Sequence, residues 1–136
     1  MTDRILVVDD EEVIREVTRE LLTLLGYEVA CAGDGAQAIE LYREALKCER
    51  TFDALIMDLT IPGGMGGKAA IQKLLEIDPD VKAIVSSGYS NDQIMSDYER
   101  YGFKGVVPKP YDINQLSRVL REIIRDGHGS HHQASR

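Results

Sequence analysis

Apolar and polar positions along this chain switch between two periods, and the switch recurs five times. Ile5-Leu6-Val7-Val8 is a continuous, β-branched-rich run, the pattern of a strand covered on both faces. Val13, Ile14, Val17, Leu21, Leu24 and Leu25 then recur at three- and four-residue steps, drawing one apolar face along a helix, and Gly26 is placed to stop it. Residues 27–31 read as a second strand. Asp34-Gly35 turns into a helix carrying Ala38, Ile39, Tyr42 and Leu46. A third strand over 52–57 leads into a loop with Pro62, Gly63, Gly64, Gly66 and Gly67. The next helix spans about 68–77 and ends before Asp78-Pro79, because a residue preceding proline resists helical torsions. A fourth strand covers 81–86, Ser90 caps a helix reaching about Tyr101, and a fifth strand covers 104–107. Ile113, Leu116, Val119, Leu120, Ile123 and Ile124 mark a last amphipathic helix.

Five βα units with short connections predict an α/β fold with helices on both faces of a parallel sheet. The expected form is a doubly wound five-stranded parallel sheet of order 2-1-3-4-5, the flavodoxin-like (βα)5 arrangement. One domain is expected over residues 1–126. Residues 127–136, Gly-His-Gly-Ser-His-His-Gln-Ala-Ser-Arg, have no apolar periodicity and are expected to form a disordered C-terminal tail.

Composition narrows the function classes. The chain has 136 residues, room for one domain, and 43% are hydrophobic, enough for a core built on Leu, Ile and Val, with no Trp and two Phe. A formal net charge of −7 argues against direct nucleic-acid binding, since phosphate backbones demand clustered Lys and Arg. Met1-Thr2-Asp3-Arg4 lacks the apolar core of an export signal, and Leu21–Leu25 is too short an apolar stretch to cross a bilayer. A cytoplasmic protein without membrane contact is therefore expected. Cys31 and Cys48 suit a reducing compartment and are read as packing residues.

In doubly wound sheets, chemistry gathers beyond the carboxyl ends of the strands, at the switch point between strands 1 and 3. Polar residues stand at those ends here. Strand 1 ends in Asp9-Asp10, followed by Glu11-Glu12; strand 3 ends in Asp58, strand 4 in Ser86-Ser87-Gly88, and strand 5 in Pro108-Lys109-Pro110. Neighbouring strands lie roughly 5 Å apart, so Asp9, Asp10 and Asp58 crowd one small volume. Such carboxylates must be protonated, hydrated or bridged by a cation, and an all-oxygen site with room for water suits Mg²⁺. A carboxylate beside such a cation can attack phosphorus, with Lys109 as fixed positive charge and Ser87 as hydroxyl donor. Singly, each element has a plainer reading: an Asp pair as helix cap, Asp58 as turn former, Ser86-Ser87-Gly88 as loop, Lys109 as solvated surface charge. Four such features on one sheet edge favour a site.

Ile5-Leu6-Val7-Val8-Asp9-Asp10, Met57-Asp58-Leu59-Thr60-Ile61-Pro62 with Gly66, Ser87-Gly88 and Lys109-Pro110 together resemble the response-regulator receiver domains, over about Arg4 to Arg125. The resemblance implies that Asp58 is the phosphoacceptor and that Asp10 binds Mg²⁺ directly. It implies that Asp9 does so directly or through water, and that the Thr60 backbone carbonyl completes the protein ligands. Ser87 is then the switch hydroxyl, Lys109 pairs with phosphoryl oxygens, and the Lys109-Pro110 peptide is cis. The implied partner is a histidine kinase or a histidine phosphotransfer domain, with room for a homodimer. The chain is then a phosphoacceptor rather than an enzyme.

Within that family, the Pro-Gly-Gly-Met-Gly-Gly loop and Val85-Ser86-Ser87-Gly88-Tyr89-Ser90 resemble receivers fused to hybrid sensor histidine kinases, the alternative being a stand-alone regulator. Many receivers carry an aromatic three residues before the lysine; here that position is Val106. Phosphorylation is instead expected to repack the segment 88–101 against strand 5, through Tyr89 or Tyr111. The glycine-rich loop 60–67 is expected to be mobile without metal or phosphate. The three histidines, His128, His131 and His132, lie in the expected tail and are read as solvated. Tyr98 and Tyr101 are expected on the fourth helix, at the core edge or on a partner surface with Arg118 and Arg121.

Two other activities fit less well. An Mg²⁺-dependent aspartyl phosphohydrolase would place a second acid two residues after the nucleophile, where Thr60 stands. A flavin carrier would cradle phosphate in a loop rich in Ser, Thr and Gly, whereas Asp9-Asp10-Glu11-Glu12 repels one.

Overall fold

The computed structural model describes residues 3–58, 67–87, 98–109 and 111–133. Five strands alternate with helices: β1 (Arg4–Val8), α1 (Glu12–Leu24), β2 (Glu28–Ala32), α2 (Gly35–Lys47), β3 (Ala54–Asp58), α3 (Gly67–Ile77), β4 (Ala83–Ser87), a 3₁₀ turn (Tyr98–Tyr101), β5 (Gly105–Pro108) and α4 (Ile113–Gln133). All strand pairs are parallel, in the order β2-β1-β3-β4-β5, as the alternating pattern predicts.

Period-two alternation sorts the strand residues into two buried layers. Ile5, Val7, Ile56, Ile84 and Val107 face Leu22 of α1 and Leu116, Leu120, Ile123 and Ile124 of α4. Leu6, Val8, Leu55, Met57, Ala83 and Val85 face Ala38, Ile39, Tyr42 and Ala45 of α2 and Ala70, Ile71 and Leu74 of α3. The central strands are buried on both sides, which is why their sequences read as unbroken apolar runs.

Local chemistry sets the helix ends. Gly26 follows the last turn of α1 at φ +97°, a left-handed stop that favours glycine. The Asp34 carboxylate accepts from the Gln37 amide at 2.9 Å and caps α2. Asp112 does the same for α4, accepting from Asn114 at 2.8 Å and Gln115 at 3.3 Å. Asp78, expected to end α3, accepts the Tyr42 hydroxyl at 2.6 Å through one oxygen and the Asp80 amide at 3.0 Å through the other. It thereby ties α2 to the connection into β4, and burial first, then the Asp78 carboxylate, pushes the Tyr42 phenol well above its ordinary value.

Several expectations are corrected. β3 begins at Ala54 and β4 at Ala83; Phe52 and Val81 are buried just outside the strands that their apolarity suggested. Of the helix expected over 90–101, the described part is the 3₁₀ turn, with Tyr98 and Tyr101 half-buried against the α2/α3 layer; 88–97 lies outside the described residues. Cys31 is half-buried but Cys48 is exposed, so only the first is a packing residue. The backbone helix of α4 spans Ile113–Gln133. Among the described residues, no helix is long and apolar enough to cross a membrane.

Candidate functional site

The β1–β3 pairing sets Val8 beside Met57, so the residues that follow, Asp9 and Asp58, emerge together at the carboxyl edge of the sheet. Carboxylate oxygens of Asp9, Asp10 and Asp58 lie within 4.8 Å of one another. Asp9 and Asp58 are 1% and 2% exposed, whereas Asp10 is open to solvent. The cluster therefore has a dry floor and a wet mouth, and a ligand approaching from solvent meets Asp10 first.

Asp9 is held rigidly. Its amide donates to the Ala32 carbonyl at 3.1 Å, and its Oδ1 accepts from the Glu11 amide at 2.9 Å. The Arg15 guanidinium donates to the Asp9 carbonyl oxygen at 2.7 Å. The capping role that an Asp pair before a helix suggests is not seen: Glu11 is the N-cap of α1 and no side chain caps it, while Asp9 makes an Asx turn onto the Glu11 amide and leaves its other oxygen to the cluster.

Lys109, just past β5, reaches across the sheet edge. Its ammonium lies 2.7 Å from Asp9 Oδ2 and 3.3 Å from Asp58 Oδ2. Burial by itself would depress the lysine, but Asp9 and Asp58 outweigh burial and raise it above its ordinary value. One ammonium thus faces two buried carboxylates and an exposed third, leaving the cluster net negative.

That imbalance is the test of whether a cation fits. Asp9 Oδ2 is buried with the Lys109 ammonium 2.7 Å away, an ion pair that offsets only part of the charge of the three carboxylates. An all-oxygen set with one solvent-facing member suits a hard divalent cation that keeps several waters. Asp9, Asp10 and Asp58 fit Mg²⁺.

The remaining expected site residues divide between the described residues and those outside them. Ser87 is the last residue of β4, paired in register with Pro108; its side chain lies outside the described residues. Thr60, the loop 60–66, Tyr89 and Pro110, hence the Lys109-Pro110 peptide, also lie outside. Val106 pairs with Val85 and packs against the α2/α3 layer. Residue-type reasoning missed two contacts, the Arg15 brace on Asp9 and a hydrogen bond between Ser86 and Tyr111, whose oxygens are 2.8 Å apart. Ser86 stands directly opposite Asp58 in the β3–β4 register and is fully buried. Strand alternation could have found it, since Asp58 and Ser86 both fall on the α1/α4 side of the sheet.

Comparison with known proteins agrees with this geometry. Residues 5–121 match the response regulator receiver domain family. The chemotaxis protein CheY of Thermotoga maritima is 32% identical, over 92% of this chain and all of the relative. The sensor kinase CckA of Brucella abortus is 29% identical over 88% of this chain, which spans 12% of that kinase. The response regulator TrrA of Thermotoga maritima, solved in complex with Mg(2+)-BeF, superposes with a TM-score of 0.77 at 29% identity, covering 90% of this chain and 99% of that one. The chain belongs to the response regulator receiver domain family.

Proposed function

We propose that this receiver domain accepts a phosphoryl group from a phosphohistidine on the carboxylate of Asp58, in a cytoplasmic two-component phosphorelay. The observation that carries the reading is the cluster of Asp9, Asp10 and Asp58 with the Lys109 ammonium between its two buried members. An Asp58 oxygen attacks phosphorus in line with the departing imidazole nitrogen. The phosphorus–nitrogen bond breaks, an acyl phosphate forms, and the donor imidazole, already protonated on its other ring nitrogen, takes the bonding electron pair and leaves neutral. Asp9 and Asp10, with Asp58 and the Thr60 carbonyl, would hold Mg²⁺, which when bound supplies positive charge against both the carboxylates and the phosphoryl oxygens. Lys109 exchanges its carboxylate contacts for phosphoryl oxygens, and Ser87 donates its hydroxyl to one of them.

The donor is a histidine kinase or a histidine phosphotransfer domain, and it must cover the edge bearing Asp58. Beside that edge, α1 presents Val13, Val17 and Leu24 at 70%, 48% and 78% exposure. This apolar stripe begins within a turn of the acidic cluster and is where we place the donor. The likeness to the CckA kinase, together with the Gly-rich loop and the Ser87-Gly88-Tyr89 stretch, supports a receiver of the hybrid-kinase type. No acid stands at position 60 to turn over a phosphate ester, so a switch is favoured over a phosphohydrolase.

Incubation with Mg²⁺ and acetyl phosphate tests the reading by intact mass. A single phosphoryl adduct is expected in the wild type and none in Asp58→Asn. Equal adducts in both proteins, or none in the wild type, would refute it.

A further inference from the structure

The Ser86–Tyr111 pair places two hydroxyls in a layer otherwise built of Ile5, Val7, Ile56, Ile84 and Val107. An apolar pair of similar shape would pack there at least as well, because burying a hydroxyl is unfavourable unless it is paired. What the pair adds is a directional link, and its two ends lie where a link has consequences. Ser86 is the register partner of Asp58 on the neighbouring strand. Tyr111 follows Lys109 by two residues and precedes Asp112, whose carboxylate caps α4. Tyr111 is half-buried against the α1/α4 layer, and its phenol is pushed up to about 12, chiefly by desolvation and against the lowering effect of Ser86 and Lys109. The hydroxyl is therefore protonated at physiological pH.

Val106 cannot serve the same purpose. It is aliphatic and packs on the opposite, α2/α3 side of the sheet.

We propose that Tyr111, through its hydrogen bond to Ser86, is the positioning residue that couples the state of Asp58 to the N-terminus of α4, so that this chain signals along its α1/α4 face. The inference rests on Asp58 being the phosphoacceptor. A phosphoryl group there draws the Lys109 ammonium away from Asp9 Oδ2, and the segment carrying Lys109 moves with it. Tyr111, anchored to β4 by Ser86, converts that movement into a change at Asp112 and the first turn of α4.

The test uses the full ¹⁵N-labelled chain with Mg²⁺ and beryllofluoride as phosphoryl mimic, and in parallel the acetyl phosphate adduct by mass. In the wild type, amide shifts should extend to residues 112–116; in Tyr111→Phe, which keeps the ring, those shifts should be lost while shifts at Asp9 and Asp58 persist. Ser86→Ala should reproduce the loss, Ser86→Thr should restore the response, and the Ser86→Ala/Tyr111→Phe double variant should lose no more than either single one. Undiminished α4 shifts in Tyr111→Phe would overturn the inference. So would loss of the phosphoryl adduct in that variant alone, because the hydroxyl would then belong to the chemistry. Absence of adduct in the wild type would instead refute the reading of Asp58 itself. Should Tyr111→Phe not fold, the Ser86→Ala and Ser86→Thr pair decides the question by the same shifts.

Discussion

At the scale of single residues, the site is a problem of like charges held at close range. Asp9, Asp10 and Asp58 repel one another, and Lys109 offsets only part of that repulsion. Asp10→Asn is therefore expected to raise stability in the absence of divalent cation and to weaken Mg²⁺ binding. In the wild type, Mg²⁺ at about a hundredfold excess over its Kd should stabilise the fold by about 2.7 kcal/mol. Urea unfolding with and without Mg²⁺ checks both; an Asp10→Asn protein that is less stable without metal would count against the repulsion. Lys109 and Tyr111 predict the alkaline behaviour. Both groups are raised in the folded state, Tyr111 from 10.0 to about 12. Their contribution is fully present below the unfolded values and is lost as pH rises through the folded ones. The stability difference between wild type and Tyr111→Phe should consequently move against the wild type between about pH 10 and 12, measured by urea unfolding at each pH; a constant difference would contradict the burial argument. Asp9, Asp10, Asp58 and Lys109 were legible in the sequence because the strand-end rule needs only element order. Arg15 on Asp9 and Tyr111 on Ser86 were not, because each depends on which way a side chain leaves its element.

At the scale of elements, alternation and helical period located every strand and the four described helices, while their ends depended on local chemistry. Gly26 was legible as a stop because a glycine directly after the last apolar position of α1 has one common use. Gly102 was not, since it lies between the 3₁₀ turn and β5 with no periodic signal around it. Its φ is +101°, and a Cβ there would sit 2.5 Å from Leu75 Cδ1, whereas a Cβ on Gly26 meets nothing within 4 Å. Gly26→Ala should thus cost only the left-handed strain, about 1–2 kcal/mol. Gly102→Ala should cost more, because Leu75 must also move. Chemical denaturation of the two variants provides the comparison, and equal losses would mean that Leu75 yields freely.

At the scale of the whole molecule, a net charge of −7 and an apolar stripe on α1 beside the acidic edge define how a protein donor would meet the chain. Charge attracts a basic donor surface and makes association salt-sensitive, while Val13, Val17 and Leu24 supply burial at contact. Val17→Glu should slow transfer from a phosphorylated histidine donor by about tenfold or more, equivalent to about 1.4 kcal/mol, and leave phosphorylation by acetyl phosphate unchanged. Stopped transfer reactions resolved by gel would read this, and equal slowing with both donors would place the effect in the fold and not at the docking surface. The central claim remains the bond formed at Asp58, which can be read at the level of the atom. After phosphorylation with Mg²⁺ and acetyl phosphate, borohydride reduction converts an aspartyl phosphate to homoserine, and peptide mass spectrometry locates it. The account predicts homoserine at position 58 and at no other aspartate; homoserine at position 9 or 10, or none at all, would contradict it.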